Sequence, residues 1–186
     1  MPSRTTTMSK PKTTDAMNEP LVTTRYPLTG HPAHSAITVH APSPEAIQRI
    51  ATHLCQADRD ELAALGHPGN QLKVIRDAVS KSREAYIASW DGESQAVFGI
   101  SDLPQGSRFG VPWMLSTGTG PRHAREFMDI SRKVIEAWSP MYIALANLVS
   151  EKHHGARRWL QALGFMSLTT HTVNGHTFHE MVRHHV

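Results

Sequence analysis

The sequence predicts an α/β protein: one mixed, mostly antiparallel sheet of about six or seven strands, helices on both faces, and a central parallel strand pair. Three observations carry this. Apolar runs at 111–117 and 141–149 flank a long amphipathic segment, which makes a crossover unit with parallel, right-handed connection. Asp91-Gly92 and Asn174-Gly175 each lie between a pair of strand-like segments, as hairpin turns with positive φ require. Helical stripes bounded by caps and glycine stops fill the intervals.

In chain order, residues 1–33 are rich in Thr, Ser, Pro and Lys without an amphipathic period. Such a segment cannot bury enough surface to offset its ordering entropy, so it reads as an extended arm before a domain spanning 34–186. Ala36 to His40 alternates like a short strand. Ser43-Pro44 is an N-cap followed by proline at the first helical position, with Ile47, Ile50, Ala51 and Leu54 as the buried stripe. A second helical piece runs from Asp58 to Leu65 and stops at Gly66; a third carries Leu72, Ile75 and Val79. Glu84 to Trp90 and Gln95 to Asp102 are the arms of the first hairpin. Val111 to Thr117 is a strand broken by Gly118-Thr119-Gly120, and Pro121 opens a helix with Phe127, Ser131, Ile135 and Trp138 on one face. Ser139-Pro140 ends that helix, and Met141 to Val149 is apolar enough to be covered on both faces. A helix over 152–163 and closing strands at 166–173 and 176–183 complete the chain.

Composition excludes several classes. With 39% hydrophobic and 19% charged residues the chain has the make-up of a soluble globular domain, and no run reaches membrane-spanning length. The net charge of +3 is small and the basic residues are not interleaved with aromatics, so nucleic acid is not the expected partner. Cys55 is the single cysteine, which fits a reducing compartment. Among 13 histidines no metal-binding spacing occurs, and no metal is expected.

The informative stretch is Asn147 to Phe165. Ala156, Trp159, Leu160 and Leu163 form one apolar stripe, Gly164 occupies the place of a left-handed C-cap, and Phe165 folds back on the last turn. With His153, these residues occupy the places of an Asn-x-x-Ala-x-x-apolar-Tyr-x-x-x-Gly-Phe signature, and the element order resembles the GNAT acyltransferase fold. More narrowly, Pro112-Trp113-Met114-Leu115, Arg122-His-x-Arg125-x-Phe127 and Arg158-Trp-Leu-x-x-Leu-Gly-Phe165 resemble a phage family that includes the internal virion protein A of T7-like phages.

The GNAT resemblance implies an acetyl-CoA or CoA site at Leu115, Ser116, Thr117, Gly118, Thr119, Gly120 and Arg122, where loop amides and a helix N-terminus hold a pyrophosphate. Leu115 stands where the motif has a basic or amide residue, and Pro121 removes one donor. Asn147, on the buried strand, either binds a ligand in the gap expected beside it or satisfies strand-end groups. No acidic residue lies on strand 111–117 to serve as base, with Asp102, Asp129 and His123 as substitutes. The signature's tyrosine acid falls on Leu160, and its asparagine on His153. Asn147, His153 and Tyr142 are therefore the candidate catalytic residues, with Tyr86 a further possible acid if the fold brings it close. The expectation from this pattern is a phage virion-associated component with a degenerate catalytic site, contacting other virion proteins through the 1–33 arm, in the virion and in the host cytoplasm during infection. The alternative is an active acetyl-CoA-dependent N-acetyltransferase modifying a phage or host protein amine.

Overall fold

The computed structural model describes residues 36–103, 108–118 and 121–185. The 1–33 arm lies outside them. In order the chain forms β1 (Ile37–His40), α1 (Pro44–Thr52), α2 (Gln56–Ala64), α3 (Gln71–Lys81), β2 (Glu84–Trp90), β3 (Glu93–Asp102), β4 (Phe109–Ser116), α4 (Ala124–Trp138), β5 (Ala144–Ser150), α5 (His154–Ala162), β6 (Met166–Val173) and β7 (His176–His184). The seven strands form one sheet in the order β1-β2-β3-β4-β5-β7-β6, antiparallel except for β4 beside β5.

Local chemistry sets the boundaries. The Ser43 side chain accepts the Ala46 amide and starts α1, and Asn70 does the same for α3 through Lys73. Asp91 and Asn174 both adopt positive φ at the hairpin turns, as an Asp-Gly or Asn-Gly pair permits. Strand alternation divides the core. Tyr86, Ala88, Trp90, Phe98 and Ile100 face α4 and α5, whereas Ile87 and Val97 face the layer of α1 and α3.

Several expected boundaries shift: α2 begins at Gln56 rather than Asp58, β3 at Glu93 rather than Gln95 and β4 at Phe109 rather than Val111, and two further shifts have a local cause. Pro121–His123 is a 3₁₀ turn, so α4 proper begins at Ala124. The strand expected from Met141 begins at Ala144, because Ser139–Met141 forms a second 3₁₀ turn closed by the Tyr142 amide on the Ser139 carbonyl (3.1 Å). Among the described residues no helix is long and apolar enough to cross a membrane.

The feature that positions the site is the parallel pair. β4 and β5 register only at Phe109↔Ala144 and Gly110↔Leu145, then diverge. Gly110 allows the approach: a Cβ there would lie 2.8 Å from Leu145 Cδ2 and 2.9 Å from the Tyr142 ring. Gly110→Ala is therefore expected to cost about 1–3 kcal/mol through overpacking, measurable by urea denaturation, and an unchanged midpoint would show that the strands are not held at this point.

Candidate active site

Beyond Gly110 the facing backbone groups of β4 lose their strand partner. Pairing with β3 takes the odd-numbered residues of β4, as the flanking Thr117 N–H to Gln95 carbonyl (2.8 Å) and Leu103 N–H to Phe109 carbonyl (3.0 Å) bonds indicate, so the amides and carbonyls of even-numbered residues face the gap. Two of these groups are met by side chains. Asn147 Nδ2 donates to the Pro112 carbonyl (2.9 Å), tying β5 to β4 across the opening. Asp58 Oδ2 accepts the Ser116 amide (2.8 Å) at the far end. Between them Met114 presents its backbone N–H to the gap. Asn147→Ala leaves the Pro112 carbonyl unpaired and is expected to cost about 1 kcal/mol, read as a fall of about 2–4 °C in Tm.

Helix α2 spans the mouth of the gap. Asp58 and Glu61, three residues apart on one helical face, each bind the last residue of a diverging strand: Asp58 the Ser116 amide of β4, Glu61 Oε1 the Ser150 amide of β5. Asp58 Oδ1 also meets His153 Nε2 at 2.9 Å. The other ring nitrogen of His153, Nδ1, accepts the Ala156 amide (3.2 Å) and caps α5. Together these contacts fit the tautomer with its proton on Nε2. The Asp58 hydrogen bond pulls the His153 pKa above its usual value and burial pulls it back, while the amide aimed at Nδ1 opposes a second proton.

Glu61 is different. Burial pushes its carboxyl above the usual range, reinforced by the Asp58 charge and opposed by the Ser150 amide and His153. No described residue is bonded to its second oxygen, Oε2. Cys55 nearby is also pushed up, by burial and by the Asp58 charge, which keeps it a thiol.

These groups surround a cavity of about 330 Å³ that passes through the sheet. Met114, Ser116, Asn147 and Val149 form its waist; Cys55, Asp58 and Glu61 line the α2 end; Ala124, Phe127, Met128, Trp159 and Leu160 line the end under α4 and α5. An open groove of about 500 Å³ lies outside, lined by Asp60, Ser150, Lys152 and His176, and shares Glu61 and His153 with the cavity.

The sequence candidates fare unequally. Ser116, Gly118, Asn147 and His153 converge on the cavity. Leu115 does not: strand alternation turns it into the core beside α1 and α3. Thr117 is also withdrawn, with its hydroxyl on Gln95 Oε1 and its amide on the Gln95 carbonyl. Gly118 requires its positive φ of 104°, and its amide is engaged by Ser116 Oγ (3.3 Å). Thr119 and Gly120 lie outside the described residues. Arg122 is 81% exposed and only loosely paired with Asp91 at 3.9 Å, so it is free to reach an anion at this end.

Tyr142 is misplaced as a candidate acid. It precedes β5, at the closed end of the strand pair, where its hydroxyl donates to Asp102 Oδ1 (2.8 Å) and Arg83 sits over its ring. Burial, with Asp102 next, pushes its pKa up to about 12. The substitute bases fail likewise: Asp102 holds Arg83 and Tyr142, Asp129 holds Arg132, and buried His123 meets Asp91. Tyr86 donates to Glu84. Leu160 is buried in the core, with no group to donate. Among the described residues no three His, Cys, Asp or Glu side chains form a metal-binding group.

The fold as a whole superposes on solved structures that include acetyltransferases. The aminoglycoside acetyltransferase AAC(6')-Ib, solved with coenzyme A, superposes at a TM-score of 0.60 over 80% of this chain and 94% of that one, at 14% identity. Ard1 from Thermoplasma volcanium matches at 0.56, covering 82% of this chain and 99% of that one at 15% identity. RimL, a ribosomal L7/L12 alpha-N-protein acetyltransferase solved with coenzyme A, matches at 0.57 over 82% and 96% with 8% identity. The fold is that of the GNAT acyltransferases. At these identities the likeness reaches the GNAT fold and no further. No family model and no curated protein sequence matches the chain. Nothing in these comparisons bears on the phage resemblance.

Proposed function

We propose that the chain is an acyl-CoA-dependent acyltransferase acting on an amine. The observation that carries this reading is the through-sheet cavity between β4 and β5, with a half-buried carboxylate of raised pKa, Glu61, at the end that opens to the outer groove. The similar GNAT folds include proteins solved with coenzyme A bound, which supports CoA as the ligand of the cavity. No structural observation favours the virion-component reading.

The residues present fit such a donor. The Met114 amide, to which no partner is bonded among the described residues, faces the gap, where it can donate to a thioester carbonyl and polarise it. Arg122 and the start of α4 supply positive potential at the pyrophosphate end. Bound CoA thioester supplies an activated acyl group; the protein's role is to place it and to take a proton from the acceptor. Glu61 Oε2 is suited to that proton, because a carboxylate with raised pKa is a better base at neutral pH than an exposed one. His153 is not the base here, since both ring nitrogens are engaged; it and Asp58 hold α2 against the strand ends. With Leu160 in place of a tyrosine, no side chain at this position would protonate the leaving thiol of a bound donor.

Asp60 and Glu61 give the outer groove two carboxylates against Lys152, so a cationic amine is the expected acceptor. The test is release of free CoA thiol from acetyl-CoA in the presence of polyamines, aminoglycosides and peptides with free N-termini. Amine-dependent release above the hydrolysis rate supports the reading. Absence of release across all three classes, with CoA bound, counts against it.

A further inference from the structure

Beneath α4 a second void adjoins the through-sheet cavity. It measures about 30 Å³ and is walled almost wholly by hydrocarbon: Ala88, Phe98 and Trp138 at the closed end, and Met114, Phe127 and Trp159, which it shares with the cavity. The indole N–H of Trp138 donates to Glu84 (2.8 Å) and that of Trp159 to Ser131 (3.2 Å), so neither asks for a partner in the void. A space this apolar stays dry and favours an apolar guest. At about 10–15 Å³ for each water-sized sphere, it has room for about two methylene-sized groups.

Its neighbour Met114 is the residue whose amide faces the gap. The half-buried Met114 side chain is unbranched and rotates readily, so its turning joins the void to the cavity at the point where a thioester carbonyl would bind. We propose that this recess is an acyl-chain pocket and that the preferred donor is a short straight-chain acyl thioester longer than acetyl, close to butyryl. The inference rests on the acyltransferase reading and names the donor class for that same site.

Calorimetric titration with CoA, acetyl-CoA and butyryl-CoA tests it without needing the acceptor. Burying two more methylenes predicts that butyryl-CoA binds about tenfold more tightly than acetyl-CoA. Ala88→Ile fills the recess from β2 and is expected to erase that advantage while leaving acetyl-CoA affinity unchanged. The wild-type ratio stands even if that variant fails to fold. Equal or weaker binding of butyryl-CoA overturns the acyl pocket alone. Failure of all three ligands, CoA included, overturns the acyltransferase reading with it.

Discussion

Replacing Glu61 by glutamine is expected to lower kcat by 10²–10⁴-fold, about the loss typical of a removed general base. Glutamine keeps an oxygen for the Ser150 amide, so the clamp on β5 survives while proton acceptance does not. The pH profile separates this from a structural effect. Wild-type rate should rise with pH through the raised Glu61 pKa, as the carboxylate ionises, and the variant should lack that limb. Stability should move the other way. A carboxyl whose folded pKa lies above its unfolded value favours folding most at low pH, and that contribution is lost as pH rises through the folded pKa. Above it the wild type carries the full cost of a desolvated charge, so Glu61→Gln is expected to match or exceed wild-type Tm at neutral pH. The difference should shrink toward pH ~4, near the unfolded carboxyl value. A variant that retains both rate and the pH limb would remove Glu61 from the mechanism.

The largest stability effect is expected at Asp58. Its carboxylate is buried and serves two donors, the Ser116 amide and His153 Nε2. Asp58→Ala strands both, at about 1–3 kcal/mol each, and frees the histidine that caps α5. The expected total is about 2–5 kcal/mol, or roughly 10 °C in Tm. Asp58→Asn keeps one acceptor oxygen and should fall between the two. Chemical denaturation of the three proteins reads this order directly; a loss in Asp58→Ala below about 1 kcal/mol would mean that α2 is not clamped across the strand ends.

The difference between what the sequence shows and what it hides follows the range of the interactions. Asp91-Gly92, Asn174-Gly175, Ser43-Pro44 and the Gly164 stop act within a few residues, so they are legible as strings and they recur as turns and caps in the fold. The parallel pair is legible as two apolar runs joined by a helix, although its registered residues Phe109 and Gly110 precede the expected 111–117 strand and Leu148 of β5 is exposed rather than covered. The site is another matter. Asp58 meets partners 58 and 95 residues away, and no local pattern announces either. One signal existed: Asp58 lies four residues from both Leu54 and Leu62, on the buried side of α2, where a carboxylate must find internal donors. A search for the base on strand 111–117 alone passes over it. Tyr142 misleads for a related reason, since the sequence does not say at which end a parallel pair opens. Leu115 lies on the face of β4 turned toward α1 and α3, and Thr117, just past the strand, is tied to Gln95 of β3, a partner 22 residues away.

CoA is proposed to occupy the passage between β4 and β5. Calorimetric titration of CoA into the wild type and Ala124→Trp tests it most directly. Ala124 is exposed at the first turn of α4 and lines the cavity, so tryptophan there blocks the entrance without disturbing the core. One CoA site is expected in the wild type, with at least ~10-fold weaker binding in a variant of unchanged Tm, the loss of more than about 1.4 kcal/mol of contact. No binding to the wild type, or equal binding to both proteins, would contradict it.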